Sequence, residues 1–180
     1  GGIATFAGLG ALFGGGSGLP RFAAKHTISW IQWAWFLGIV AAAILAGLCY
    51  LFFAKFSSKL GEMLQSHRVA SCVLAGVCIA VGAYFLPLTT FSGEHEMGEL
   101  MGSWTEYSAK ILILTALAKM LLVNLCVQLG WRGGSIFPLI FSGVAAGYAF
   151  AALTGIDPNF AVAAMTAGLY GYISRKPVMT

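Results

Sequence analysis

Charge is what this sequence has least of. Lys plus Arg number 10 and Asp plus Glu number 6 in 180 residues, 9% in all, against 59% hydrophobic residues and a mean hydropathy of +0.86; a soluble domain carries roughly 25% charged residues. So few ionic side chains cannot coat a water-exposed surface around a core of this size, which excludes an ordinary soluble fold and makes this a membrane protein. The net charge of +4 and pI near 9.0 do not point to nucleic acid, because the basic residues stand singly between apolar runs. No nucleic-acid partner is expected. Cysteines in paired, metal-ligating spacing are also absent: Cys49, Cys72, Cys78 and Cys126 each lie inside an apolar run and read as buried free thiols. No initiator methionine precedes Gly1-Gly2-Ile3, no tail follows Lys176-Pro177-Val178-Met179-Thr180, and no basic segment with a cleavage site opens the chain. The sequence reads as an internal segment of a longer protein, one domain over residues 1–180 truncated at both ends.

What the sequence has is apolar length. A bilayer core about 30 Å thick is crossed by roughly 20 helical residues, and runs at residues 28–53, 69–88 and 109–129 supply that length, with shorter ones at 136–153 and 158–173. Residues 1–13 read as the tail of a further helix. Trp30, Trp33 and Trp35 suit an interfacial aromatic belt, Pro87 ends the second run and Gly130 closes the third. The expected fold is all-α, a polytopic transmembrane helix bundle with broken and partly spanning helices in a lipid bilayer. Lys55, Lys59 and Arg68 fall between the first two full spans, and Glu94, Glu96, Glu99 and Glu106 between the second and third. Positive-inside reasoning puts the first connection in the cytoplasm, with Arg132, Arg175 and Lys176 on the same side by alternation. Gly143 and Gly147, like Ala164 and Gly168, are one helical turn apart. Such spacing permits close helix approach, within one subunit or between two.

One stretch, "WRGGSIFPLIF", interrupts the apolar pattern with an arginine, two glycines, a serine and a proline. A non-helical break at membrane depth is tolerated only inside protein or beside a water-filled cavity. Pro138 fits the first turn of a following helix, where its missing N–H costs nothing. The N–H groups of Ser135, Ile136 and Phe137 then face outward from a positive helix end, an anion site in outline; the alternative is an ordinary interfacial helix start. Lys119 is a cation deep inside a span, where insertion costs roughly 2.5–3.5 kcal/mol. It either raises the local potential for an anion, or snorkels or bonds a helix-end carbonyl. Arg132 either draws anions toward the break or marks the interface. The segment "GEHEMGE" resembles the H-E-x-x-H zinc-protease helix, with Glu99 in place of the second His. His26 and His67 lie in other loops, so no metal is expected at His95. The segment reads instead as a solvated acidic loop, with Ser92 capping a short helix and Glu94 in its first turn.

The run "GGSIFPLIFSGVAAGYAFA" is similar to the G-x-F-x-P segment of the voltage-gated chloride channel and chloride/proton antiporter family. Gly134 and Pro138 match its fixed ends, Ser135 fills the variable position, and Ile136 stands where the pattern has Phe. "FAKFSSKLG", "LPLTTFSGEHE", "ALAKMLLVNLCVQLGWRGG" and "AAMTAGLYGYISRKPVMT" follow the order of that family's second half, the last resembling its Arg-x-Pro turn with Arg175, Lys176 and Pro177. The resemblance implies that the main-chain amides of Gly134, Ser135, Ile136 and Phe137 bind chloride, with no catalysis and no cofactor beyond chloride as the bound or transported ion. It also implies a multi-pass protein of the cell membrane and a homodimer of the full-length parent, with the small-residue faces around Gly168 as candidate contacts. "GGGSGLPRF", residues 14–22, resembles the family's G-S-G-I-P motif, but no G-R-E-G-P follows and the tract abuts a long span. Ser17 therefore reads as a turn residue. The family's gating glutamate and pore tyrosine would lie outside residues 1–180, which leaves channel and antiporter both open. Outside the family stand a permease for another solute, a structural membrane subunit and, least favoured, an intramembrane metalloprotease.

Overall fold

The computed structural model describes residues 30–89, 94–131 and 133–174. Among these residues every regular element is helical: α1 (Trp30–Met63), α2 (Arg68–Phe85), α3 (Glu94–Ser103), α4 (Ala109–Gln128), α5 (Ile136–Thr154) and α6 (Pro158–Ser174), with 3-10 turns at Pro87–Thr89 and Trp104–Glu106. The expectations for residues 1–13, Ser17, His26, Ser92, Arg132, Arg175, Lys176 and Pro177 lie outside the described residues.

The helix boundaries follow local chemistry. α2 stops two residues before Pro87, because the residue preceding a proline is pushed out of the α region; Leu86 sits at φ −136°, ψ 82° and donates its N–H to the Gly82 carbonyl at 2.8 Å. The run expected to reach Leu88 is thus completed by the 3-10 turn. Ser108 caps α4, its hydroxyl accepting from the Ile111 N–H at 3.4 Å. Gly155 takes φ 71° to end α5. Asp157 then opens α6 by accepting from the N–H groups of Asn159 and Phe160 at 2.9 and 3.1 Å.

α1 departs from expectation. It was read as ending at Phe53 but continues to Met63, so Lys55 and Lys59 are helical rather than part of a connection. Nothing in residues 54–63 breaks a helix, and Lys, Leu, Glu and Met favour one. Gly61 lets this extension lie against the end of α4: a Cβ there would sit 2.8 Å from the Gln128 carbonyl oxygen. At 34 residues α1 is about 51 Å long, more than a bilayer core needs.

Four helices, α1 from Ala34, α2, α4 and α5, are long and apolar enough to cross a membrane. α3 is 10 residues long, and the described part of α6 is 17. α5 is the central helix: 61% of its most apolar window is buried, against 17% for α1 and 11% for α2, which present apolar surface outward. The short α3 is drawn into the core, where Met97 and Leu100 pack with Leu112 of α4 and Phe141 and Val144 of α5. Trp104 stacks on Tyr148 of α5 with ring centroids 5.2 Å apart.

Small residues set the seams. A Cβ on Gly143 would lie 2.8 Å from Thr166 Cα, and one on Gly147 would lie 2.5 Å from Val162 Cα, so this pair seats α6 directly on α5. Gly168 carries one of the spacings read as fit for packing within one subunit or for contact between two. A Cβ there would come within 2.8 Å of the Ala43 Cβ, so α1 of the same chain packs there. Of the two uses open to this spacing, close approach within one chain is realised at Gly168. Gly147→Ala is expected to destabilise the protein by about 1–3 kcal/mol, because the obstructing atoms are backbone and cannot turn aside. Gly171→Ala, with nothing within 4 Å of the added carbon, serves as the neutral control in thermal unfolding of the detergent-solubilised protein.

Candidate functional site

The break between α4 and α5 is built by glycine and proline. Gly130 adopts φ 97°, and the N–H groups of Gly130 and Trp131 return to the carbonyls of Val127 and Cys126 at 3.4 and 2.9 Å. This paired pattern ends α4 and reverses the chain. The turn is tied to α2, because the Trp131 indole N–H donates to the Cys72 carbonyl at 3.2 Å and the Cys72 thiol to the Leu129 carbonyl at 3.7 Å.

α5 then begins without a side-chain cap. Ser135 stands at φ −83°, ψ −9°, its hydroxyl makes no capping bond, and its carbonyl accepts the first helical bond from the Leu139 N–H at 3.2 Å. The N–H groups of Ile136 and Phe137 therefore have no acceptor inside the helix, and Pro138 contributes none. Pro138 is buried, and its carbonyl accepts from the Ser142 hydroxyl at 2.8 Å, which anchors the first turn to the second.

Of the residues expected to bind an anion, Gly134 lies exposed on the wall of a cavity of about 510 Å³, together with Gly133 and Pro138. Ser135 is half-buried, while Ile136 and Phe137 are 54% and 37% exposed. All four sit on one turn at the positive end of the helix dipole.

The same cavity is lined by Lys119 and Thr89. Lys119 is only 3% exposed, so it does not snorkel to the surface; its ammonium donates to the Thr89 carbonyl at 2.9 Å and lies 5.2 Å from the centre of the Phe141 ring. Of the roles open to it, the bond to a carbonyl at a helix end is realised. The negative charge of Glu96 attracts it from α3.

Glu96 is the residue that sequence reasoning misplaced. It was read as part of a solvated acidic loop, yet it is 6% exposed, beside Met97 and Leu100 in the packed short helix. The available signal was the apolar pair Met97 and Leu100, three residues apart, which marks a buried face on which Glu96 borders. Among the described residues no three His, Cys, Asp or Glu side chains converge as a metal site would require.

In chemical terms the turn offers main-chain donors, a helix dipole and a nearby buried ammonium, an arrangement suited to a small anion stripped of water. A family model described as voltage gated chloride channel matches residues 3–180. No curated protein and no solved structure matches the chain.

Proposed function

Because the chain belongs to the voltage gated chloride channel family, we propose that the first turn of α5 holds the transported chloride, with main-chain N–H groups of Gly134, Ser135, Ile136 and Phe137 as its ligands. Family membership and four membrane-length apolar helices make this a membrane protein of anion transport. The observation that supports the site is the uncapped helix start: N–H groups without an acceptor in the helix, beside a cavity that also holds Lys119. A channel and a proton-coupled antiporter use such a site alike, so the reading commits to anion binding and passage in either mode. We further propose that the protein works as a homodimer in the cell membrane with one anion pathway in each subunit.

Vesicles containing the purified protein are expected to exchange chloride with the medium, and a neutral solute of similar size is not expected to pass. Ser135→Ala should change the chloride rate less than about fivefold, since the hydroxyl caps nothing and a neutral side-chain hydrogen bond is worth only roughly 1 kcal/mol. Vesicles that retain chloride, or a Ser135→Ala variant that is folded but inactive, would defeat the backbone-ligand reading. Cross-linking in membranes should return a dimer; recovery of monomer alone counts against the homodimer.

A further inference from the structure

At the end of the bundle where α1 and α4 finish and α2 begins, a cleft of about 830 Å³ is lined by Ser58, Glu62, Gln65, Arg68, Ser71 and Gln128 among others. Its lining contrasts with the cavity between α1, α4 and α5, which only Ala, Leu, Ile, Met, Phe and Cys residues line. Non-helical backbone in a membrane protein needs either surrounding protein or water. Gly130, Trp131, Gly133 and Gly134 are all exposed. Hydrophilic walls beside an exposed, irregular backbone describe a space that water fills.

This cleft and the Lys119 cavity meet at two residues, Trp131 and Gly133, which line both. Gly133 carries no side chain and has nothing within 4 Å of where a Cβ would be. Among the described residues the Trp131 side chain is therefore the one common to both walls. It is held in place by its N–H bond to the Cys72 carbonyl and follows the left-handed Gly130 that reverses the chain. Arg68 and Glu62 both line the cleft, and the buried Lys119 ammonium belongs to the other cavity.

We propose that the polar cleft is the aqueous mouth through which small anions reach the first turn of α5, and that Trp131 is the partition that limits the size of anion passing from it. The inference rests on the reading of α5 as the anion site. Pore diameter then sets selectivity at Trp131, while the sign of charge is selected beyond it.

The test uses the whole protein in vesicles. Trp131→Ala should raise the flux of thiocyanate and iodide relative to chloride by roughly threefold or more, and Trp131→Phe, which keeps a ring but loses the donor to Cys72, should fall between. An unchanged flux ratio in a Trp131→Ala protein of normal elution volume overturns the partition. Cys72, exposed on the cleft wall rather than buried as its apolar run led one to expect, supplies a second measurement that does not depend on that variant folding. A negatively charged methanethiosulfonate should slow chloride entry about twofold and a positively charged one speed it similarly, the effect of a unit charge roughly 10 Å away in water. Cys72→Ser should abolish both responses. Equal responses to the two reagents, or none, overturn the mouth. If they do so while Ile136→Pro still weakens chloride binding, the site on α5 stands and only the route to it fails.

Discussion

Ile136→Pro is expected to lower chloride affinity about tenfold to a hundredfold, far more than Ser135→Ala, because it deletes a main-chain donor; a hydrogen bond to a charged group is worth roughly 1.5–3 kcal/mol. Position 136 is the first residue of α5, the place where a helix accepts proline most readily. Ser135 before it occupies the right-handed helical region, which a following proline disfavours, so circular dichroism and elution volume must first show that the variant is folded. Ile136→Ala is the matched control. It removes a side chain already 54% exposed, leaves the N–H in place, and should retain chloride affinity. Ile136→Phe, which restores the family pattern, should likewise be tolerated. Equal chloride affinity in wild type and folded Ile136→Pro, by calorimetry or by the chloride dependence of exchange, would show that this turn is not the site.

Lys119→Met should reduce stability by about 3–5 kcal/mol, the scale for removing a buried charge that offsets a buried charge of opposite sign. The side chain is nearly fully buried, bonded to Thr89 and attracted by Glu96, so its loss leaves a buried carboxylate without that compensation. Adding Glu96→Gln to Lys119→Met should recover much of the loss but not all. The Thr89 carbonyl would still lack its donor, a deficit of about 1–3 kcal/mol. Thermal unfolding of the two single variants and the double variant gives the coupling directly. Additive losses, or a Lys119→Met protein as stable as wild type, would mean that Glu96 and Lys119 do not support one another.

The parts of this fold legible in the sequence were those decided within a few residues. Sparse charge and long apolar runs marked a membrane protein, and four of the five expected spans correspond to helices with ends within a few residues of those expected. Pro138, two glycines and a serine located the start of α5, because proline and glycine restrict the backbone wherever they stand. The order of short motifs carried the family. Less legible was the far end of α1, since hydropathy falls after Phe53 while helix propensity does not, and the two signals separate there.

By itself, then, the sequence determined the membrane class, the all-helical architecture, the helix break and the chemistry that the break exposes. Only the tertiary structure decided which partner each of these features meets. It turned Glu96 from a supposed surface charge into a buried one that attracts Lys119, packed Gly168 against α1, and set Trp131 between two cavities. The physical reason is range. Caps, proline stops and glycine turns act through neighbouring backbone and leave their mark in neighbouring residues, whereas an attraction between buried charges or a helix crossing joins residues whose separation along the chain carries no local signature.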